Sequence, residues 1–422
     1  MLSDKLCQTA AAAFGTPVYL FDLDRLKQQV ELVRTQLPQA RLCFAVKANP
    51  FLIPALSQWL DRFELCSPGE WSLTQKLKLP QDHLVISGVY KSAADLAAIF
   101  DQSGDSLPEI SLESAEQLAL LNQQAQRQQR PVSVLLRLSS GNQFGMDEAA
   151  LRAILARRQA YPYLKLTGLQ FYSGTQKHSA KITAEVAGLE KLCRSLEQDF
   201  NLPPLALEYG PGLAVRYFID SGQSAATADL DGSDLAQLQV LSQALTQAGC
   251  QRPLTLEMGR FLTAACGSYL TQIVDLKTTR SDHYCLTDGG IHHLAYYGQM
   301  LGMKQPPVRL IKAGPGLKPG NLTGRAASPK AASAAAANWT VCGALCTVND
   351  VLLRCISLPD PQPGDWLCFD RCGAYSVTEG LALFLSRALP AVAACSKADG
   401  LQCLRPSTAS WPLNQPQIQP NN

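Results

Sequence analysis

Eight short apolar segments, separated by helix-like segments, follow one another between residues 42 and 260. Most are rich in leucine or β-branched residues, as strands buried on both faces of a sheet should be. Such an alternation, repeated over roughly 220 residues, favours a closed parallel (β/α)8 barrel and therefore the α/β class. The strand-like segments are 42–48, 63–67, 84–89, 109–112, 132–138, 166–173, 205–209 and 254–258, and the helix-like segments are 53–62, 70–78, 93–100, 114–128, 148–159, 180–199 and 235–248.

After residue 260 the alternation stops, and strand-like segments follow at 269–276, 284–287, 341–346, 350–354 and 366–369. This change predicts a second, mostly antiparallel β domain, which the strand-like residues 17–21 are expected to join. The insertion in this domain is rich in Gly, Pro, Ala and Ser, and the tail is rich in Pro, Gln and Asn. We predict an N-terminal segment (1–35) that contributes to the β domain, a barrel (36–265), the C-terminal β domain (266–400) with a flexible insertion (314–338), and a disordered tail (401–422).

Charge and hydropathy exclude several classes of function. The chain has 37 basic and 35 acidic residues, and a net charge of +2 gives no electrostatic reason to expect nucleic acid or a membrane as a partner. No apolar run approaches the ~18 residues of a membrane-spanning helix. Residues 1–13 lack the basic-then-apolar order of a signal peptide, so we expect a cytoplasmic protein.

The chain has 14 cysteines, and free thiols are expected because no secretory signal is recognised. The pairs Cys342 with Cys346 and Cys368 with Cys372 have a spacing that a zinc site could use. Several of these cysteines lie in apolar, strand-like segments, which favours small buried side chains. We therefore expect no metal site.

Polar and glycine residues gather at the carboxyl ends of the predicted barrel strands, where such barrels carry their chemistry. Strands often become polar as they enter loops, and this explains serines. It does not explain a lysine, an arginine and a glutamate at apolar strand ends, or three separate glycine turns. The strand-end residues are Lys47, Ser67, Ser87, Glu113, Arg137, 172–175, 210–212 and 257–260.

Lys47 is the most informative of these residues. A lysine at the end of a buried strand is costly to ionise, so its pKa is expected to fall. A neutral amine is what a Schiff base with an aldehyde requires. Taken alone, however, a lysine more commonly extends its charged end to solvent.

The residues around Lys47 belong to a series of motifs in a fixed order. Together they resemble the fold-type-III pyridoxal-phosphate family, which includes the ornithine, diaminopimelate and arginine decarboxylases and is related to alanine racemase. The resemblance extends from residue 14 to residue 390, apart from the insertion, and implies an alanine racemase-like architecture. It also implies pyridoxal 5'-phosphate as the cofactor and amino-acid decarboxylation as the reaction. The motifs are 42–50, 63–70, 86–92, 168–176, 208–213, 257–260, 343–350 and 373–375.

The resemblance also implies a role for each matching residue. Lys47 forms the Schiff base with the cofactor, and Glu257 faces the pyridine nitrogen and keeps it protonated. Tight glycine turns supply backbone N–H groups to the phosphate. The remaining cofactor-binding residues are Arg137 and Tyr172 near the ring, and Thr175, Gly210, Gly212, Gly259, Arg260 and Tyr375 around the phosphate.

Cys346 matches a cysteine that, in the decarboxylases, reaches the cofactor from the partner subunit. Its implied role is to protonate the substrate carbon after CO2 leaves. A homodimer with shared active sites is therefore expected. Asp288, Asp350 and Arg260 match positions that contact the amino-acid substrate.

The chain departs from the family pattern at three positions. Tyr172 stands where the family commonly has a histidine, and Met258 stands where it has a proline. Thr347 follows Cys346, whereas members that act on diamino acids have an acidic residue there. A hydroxyl gives a distal ammonium no charge partner, and this favours a branch that acts on modified or carrier-linked amino acids.

Two alternative functions remain open from the sequence. An amino-acid racemase would use Lys47 and a facing residue as two bases, although racemases typically present a tyrosine where Cys346 lies. A non-catalytic protein that binds pyridoxal phosphate would usually be a single barrel without the second domain.

Overall fold

The computed structural model describes residues 2–220, 229–313 and 337–416, which form two compact units. The sheet unit contains Met1–Leu26, Arg216–Leu230 and Thr263–Asn422, and the barrel unit contains Lys27–Val215 and Asp231–Leu262. The described residues 216–220 and 229–230 thus belong to the sheet unit, although they lie within the range 36–265 that was predicted for the barrel. Most of the predicted insertion, residues 314–336, lies outside the described residues.

The chain begins with α1 (Asp4–Phe14) and β1 (Val18–Asp22) of the sheet unit and enters the barrel unit within α2 (Leu23–Gln36). Eight parallel strands then close a barrel in sequence order, with the last strand paired to the first. The predicted (β/α)8 barrel is therefore confirmed. Its strands are β2 (Arg41–Ala45), β3 (Arg62–Leu65), β4 (Leu84–Ile86), β5 (Glu109–Leu112), β6 (Val132–Leu138), β7 (Leu164–Tyr172), β8 (Ala206–Gly210) and β9 (Leu254–Met258).

Side-chain caps determine where several barrel helices begin. Ser67, Ser92, Ser114 and Asp147 each accept a hydrogen bond from the backbone amide three residues later, as N-cap residues do. Each cap lies close after a barrel strand, so it helps to fix the loop on which site residues lie. The helices are α3 (Ile53–Leu56), α4 (Pro68–Lys76), α5 (Ala93–Gln102), α6 (Ala115–Gln128), α7 (Glu148–Ala156), α8 (Ser179–Phe200), α9 (Asp234–Gln247) and α10 (Arg260–Thr263).

In its described residues, the sheet unit contains eight further strands and a short α-helix after the barrel. They are β10 (Gly267–Thr279), β11 (Asp282–Thr287), β12 (Val308–Ile311), β13 (Asn338–Cys342), β14 (Val351–Ser357), β15 (Trp366–Asp370), α11 (Ser376–Glu379), β16 (Ala391–Ser396) and β17 (Gly400–Arg405).

These strands and β1 form one nine-stranded sheet with the order β14-β13-β11-β10-β1-β16-β17, and β15 pairs with β10 and β12. The pairs β1–β16 and β11–β13 are parallel, and the others are antiparallel. The predicted mostly antiparallel domain that includes the N-terminal strand is therefore confirmed.

Three local predictions were wrong. The strand predicted over 42–48 ends at Ala45, because Val46–Ala48 turns into a 3₁₀ helix closed by the Asn49 amide. The strand predicted over 341–346 ends at Cys342, so Cys346 lies in a turn. The tail predicted to be disordered from 401 begins with β17, which pairs with β16, whereas 417–422 lie outside the described residues.

Two further observations concern the whole described chain. All 14 cysteines carry free thiols, as expected. Among the described residues, no helix is both long and apolar enough to cross a membrane.

Candidate active site

Lys47 lies just beyond the carboxyl end of β2, in the 3₁₀ turn. Its Nζ atom is 2.6 Å from Oε2 of Glu64, 3.3 Å from Sγ of Cys66 and 3.9 Å from Oε1 of Glu257. Its side chain is 41% exposed, so it is less buried than a position after an apolar strand predicts. The carboxyl end of the barrel therefore holds a primary amine that contacts one carboxylate and one thiol directly, with a second carboxylate 3.9 Å away.

Glu64, in β3, is the buried carboxylate that pairs with Lys47. It also accepts hydrogen bonds from the Ser87 hydroxyl and, at 3.0 Å, from the Cys66 thiol. Burial raises the pKa of Glu64, but the charge of Lys47 and these hydrogen bonds outweigh it, so the pKa is lowered. Glu64 therefore stays ionised beside the Lys47 amine.

Glu257, in β9, is the second carboxylate, and its side chain is 8% exposed. Its Oε2 accepts a 3.0 Å hydrogen bond from Gln170, whose own Oε1 accepts one of 2.5 Å from Ser111. Burial, followed by the charge of Glu64, raises the pKa of Glu257 to about 7. A cation beside this carboxyl group would lower its pKa and stabilise its charged form, whereas a neutral partner would do so much less.

Arg137, in β6, is buried and pairs with Glu113 at the end of β5. The other oxygen of Glu113 accepts a 2.8 Å hydrogen bond from the Gly145 amide, and the guanidinium lies 4.9 Å from the centre of the Phe144 ring. The carboxylate and the ring thus hold the guanidinium in one orientation. The structure places Arg137 in the same barrel unit as Lys47 and Glu257.

The turn Gly210–Pro211–Gly212 follows β8 and has no room for side chains at either glycine. A Cβ on Gly210 would lie 2.6 Å from Cδ2 of Tyr172. Gly212 has φ +60°, and a Cβ there would lie 2.1 Å from the Gly174 carbonyl oxygen. Both glycine positions therefore have only backbone atoms, as positions that approach an anion require, whereas Pro211 between them has no N–H.

The other predicted cofactor residues of the barrel lie at strand or helix ends. Tyr172 ends β7, and burial raises the pKa of its hydroxyl. Thr175 lies in the half-buried turn that follows, and Gly259 lies between β9 and α10. Arg260 is the first residue of α10. These residues belong to the barrel unit, together with Lys47.

Cys346 is exposed and lies in the sheet unit, in the turn between β13 and β14. Asp350 closes this turn, because its Oδ2 accepts a 2.6 Å hydrogen bond from the Leu345 amide and its Oδ1 accepts one of 2.8 Å from Ile291. Burial raises the pKa of Asp350. The structure thus gives Asp350 a role in shaping the Cys346 turn, and its predicted contact with substrate stays a prediction.

Asp288 also binds its own unit. It accepts hydrogen bonds from the hydroxyls of Thr16 at 2.5 Å and Thr271 at 2.6 Å, and from the Gln272 amide at 2.8 Å. Burial raises its pKa. Tyr375 precedes α11 with φ +69°, an uncommon value for a residue with a side chain and one that is enriched at functional sites. The substrate and phosphate contacts predicted for these two residues stay predictions.

Comparisons with known proteins find a matching family model and solved structures of the same fold. A family model described as "Alanine racemase, N-terminal domain" matches residues 21–214. A crystal structure of diaminopimelate decarboxylase from M. jannaschii with L-lysine has the same fold, with a TM-score of 0.79 and 18% sequence identity over 98% of this chain and 94% of that one. The family match covers most of the barrel and includes Lys47.

Two curated relatives extend over nearly the whole chain. "L-glutamyl-[BtrI acyl-carrier protein] decarboxylase" of Niallia circulans is 26% identical over 407 residues, which cover 89% of this chain and 88% of that protein. "2-[(L-alanin-3-ylcarbamoyl)methyl]-2-hydroxybutanedioate decarboxylase" of Staphylococcus aureus is 23% identical over 390 residues, which cover 88% and 92%. The family model covers slightly less than half of this chain, and the relatives and the solved structure named above are decarboxylases. The chain is a carboxy-lyase, and its cofactor is pyridoxal 5'-phosphate.

The residues of the barrel unit fit this cofactor. Lys47 offers an amine, Glu257 offers a buried carboxylate whose raised pKa a cation would lower, and the Gly210–Gly212 turn offers backbone at a point where a Cβ would clash. The barrel unit therefore has a group suited to the aldehyde, to the ring nitrogen and to the phosphate.

Several residues of the site were missed in the sequence. Glu64 and Cys66 lie within a recognised motif, but their contact with Lys47 depends on the pairing of β2 with β3. Gln170 carried a signal, since an amide in a strand buried on both faces needs a partner. Lys177 and Glu185 gave none, because a polar residue after a strand or in a helix is ordinarily exposed.

The raised pKa of Glu257 predicts a pH-dependent cost to the cofactor-free protein. A carboxyl that binds its proton more tightly when folded lowers stability as the pH rises through about 7. Glu257→Gln should therefore raise the melting temperature at pH 8 and raise it much less at pH 5. The melting temperature is expected to rise by roughly 2–4 °C for each kcal/mol that the variant adds to the free energy of unfolding.

Thermal unfolding of the cofactor-free variants measures this effect. Glu148→Gln is the control, because Glu148 is 53% exposed in an i,i+4 pair with Arg152 and should change little at either pH. If Glu257→Gln raised the melting temperature equally at pH 5 and pH 8, the raised pKa of Glu257 would not be the cause of the gain.

Proposed function

We propose that this carboxy-lyase decarboxylates an amino acid, with Lys47 as the cofactor lysine and Cys346 as the proton donor. The observation that carries the proposal is the position of the Lys47 Nζ between Glu64, Cys66 and Glu257 at the carboxyl end of the barrel. When bound, pyridoxal phosphate supplies an electron-accepting ring that stabilises the charge left on the substrate carbon as CO2 departs.

The two carboxylates beside Lys47 have different proton affinities, which suits them to different tasks. Oε2 of Glu64, at 2.6 Å from Nζ, is ionised and is placed to hold and orient the Lys47 amine. Glu257, whose pKa of about 7 reflects burial beside a like charge, would hold a proton on the ring nitrogen. Gln170 keeps the Glu257 carboxylate in place for this contact.

Cys346 is the proposed donor to the substrate carbon. Its thiol is exposed on a turn that Asp350 holds through two backbone amides. The resemblance implies that it acts in the site of a second copy of the chain, which makes the active enzyme a homodimer. A thiol on an ordered turn can be presented with a fixed direction, as a general acid requires.

The proposed substrate is an amino acid whose distal end carries no free ammonium group, because it is modified or linked to a carrier. Thr347 supports this, since a hydroxyl beside Cys346 offers no charge to an ammonium. The two relatives are named for a glutamyl group on an acyl-carrier protein and for an acylated alanine derivative. Neither name describes a free diamino acid.

Racemisation remains the alternative reaction, because the matched family model covers a domain named for alanine racemase. The racemase would return the same amino acid with inverted stereochemistry, whereas the decarboxylase releases CO2. An exposed cysteine on an ordered turn favours proton donation after decarboxylation.

Replacement of the cofactor lysine tests the site directly. Lys47→Ala should abolish the visible absorbance that pyridoxal phosphate gains when it binds a lysine amine, and CO2 release should stop with it. Lys91→Met is the control, because Lys91 is a second lysine of the barrel unit, and burial lowers its pKa to about 8. If the absorbance persists in Lys47→Ala and is lost in Lys91→Met, the assigned lysine is wrong.

A substrate panel tests the predicted chemistry of the distal group. Purified enzyme should release CO2 faster from L-glutamyl pantetheine thioester and from acylated diamino acids than from ornithine, lysine or diaminopimelate. Thr347→Asp should raise kcat/KM for ornithine and lysine by about tenfold, because it adds a charge partner worth about 1.4 kcal/mol. Thr347→Asn, which adds no charge, is the control, and an equal rise in both variants would exclude the charge argument.

Mixed dimers test whether Cys346 acts across an interface. Lys47→Ala and Cys346→Ala should each be inactive or lose about 10²–10⁴-fold in rate. After the two variants are co-expressed, half of the dimers contain one intact site, so activity should recover to about a quarter of the wild-type value. Sedimentation gives the oligomeric state, and a fully active monomer would exclude shared sites.

A further inference from the structure

Lys177 is a buried lysine that lies behind the glycine turn of the barrel and has no role in the function described above. Its side chain is 2% exposed. Its Nζ atom lies 2.7 Å from Oε2 of Glu185 and donates a 3.0 Å hydrogen bond to the carbonyl oxygen of Gly210. A lysine is rarely buried this completely, and it must be paired when it is.

Lys177 binds both glycine carbonyls of the turn. Its main-chain amide donates a 3.0 Å hydrogen bond to the Gly212 oxygen, while its side chain binds the Gly210 oxygen. A Cβ on Gly212 would lie 2.8 Å from Cε of Lys177, so the stem of the lysine packs directly against the turn. One residue therefore holds the turn at two points.

The direction of these carbonyls decides what the turn offers on its other side. In a trans peptide the C=O and N–H groups point in opposite directions. The Gly212 oxygen points to Lys177, so the amide of Leu213 in the same peptide points away from it. The Gly210 oxygen is drawn toward the Lys177 ammonium, and its peptide has no N–H because Pro211 follows. An anion on the far side of the turn therefore meets the Leu213 amide hydrogen and less carbonyl repulsion.

Glu185, in α8, holds the lysine in this position. Besides Lys177, it accepts a 2.8 Å hydrogen bond from the Tyr209 hydroxyl and one from the Ser173 hydroxyl. Burial lowers the pKa of Lys177, and the hydrogen bond and charge of Glu185 oppose this shift. The carboxylate thus pairs with the Lys177 amine and ties it to the ends of β7 and β8.

The same ammonium lies near the predicted stacking residue. Nζ of Lys177 is 5.7 Å from the centre of the Tyr172 ring, within the range of a cation–π contact. The ring in turn packs on Gly210. The lysine, the ring and the glycine turn therefore form one connected group.

We propose that Lys177 is a positioning residue for the phosphate of the cofactor, because its ammonium draws the Gly210 carbonyl oxygen of the glycine turn away from the anion. It does not touch the phosphate itself. The proposal rests on the assignment of Gly210 and Gly212 to phosphate binding.

Ligand binding to the cofactor-free protein tests the proposal. Absorbance titrations with pyridoxal phosphate and with pyridoxal, which lacks the phosphate, give two dissociation constants for each variant. Lys177→Met should weaken binding of pyridoxal phosphate by about tenfold or more, the effect of losing a hydrogen bond from a charged group. It should change the dissociation constant of pyridoxal less than about twofold, and Lys177→Arg should recover part of the loss.

Two further variants make the test specific. Lys181→Met is the matched control, because Lys181 also faces Glu185, at 4.0 Å, but its side chain is 55% exposed; it should bind both ligands as the wild type does. Glu185→Gln should act in the same direction as Lys177→Met. If Lys177→Met does not fold, as circular dichroism would reveal, Lys177→Arg and Glu185→Gln carry the test.

The outcomes separate this proposal from the one on which it rests. If the wild type prefers pyridoxal phosphate and the Lys177 variants weaken both ligands equally, Lys177 has only a structural role and the proposal is rejected. If the wild type binds pyridoxal as tightly as pyridoxal phosphate, the phosphate turn is wrongly assigned, and the role of Lys177 falls with it.

Discussion

The contact between the Lys47 amine and the buried carboxylates of Glu64 and Glu257 is the interaction on which the rest of the barrel site depends. Two carboxylates in a closed barrel repel each other, and burial makes that repulsion costly. Burial and then the charge of Glu64 raise the pKa of Glu257 to about 7, whereas at Glu64 the nearer charge of Lys47 and the hydrogen bonds outweigh burial and lower the pKa. One amine thereby creates two carboxyl groups with different proton affinities.

This asymmetry links the architecture to the chemistry. Strand pairing places residue 43 of β2 opposite Glu257 of β9 and residue 45 opposite Glu64 of β3. The turn that carries Lys47 therefore follows a strand whose two neighbours each contribute one glutamate. The barrel must close for β2 to meet β9. The pairing of β7 with its neighbour β8 brings Tyr172, Gly210 and the buried Lys177 together. The contacts around Lys47 thus depend on barrel closure, whereas those around Gly210 depend on the pairing of two consecutive strands.

Much of the site could be predicted from the sequence, because its residues follow buried strands and occur in ordered motifs. Lys47, Arg137, Tyr172, Gly210, Gly212 and Glu257 lie in one unit of the structure, as expected. The strand ends were less predictable. Local propensity extended β2 through Lys47 and β13 through Cys346, whereas the Asn49 turn and the Asp350 hydrogen bonds end those strands early. β17 was missed because its residues are largely exposed and carry little apolar pattern.

The sequence by itself determined the barrel and the second sheet, and it singled out Lys47 and Cys346 as candidates, because periodicity and motif order are properties of the chain. Only the tertiary structure decided which charges meet. Glu64 and Cys66 beside Lys47, Gln170 on Glu257, and Lys177 between Glu185 and the Gly210 carbonyl are contacts between different strands and helices. Electrostatic energy depends on distance and burial, and neither is written in residue order until the strands have paired.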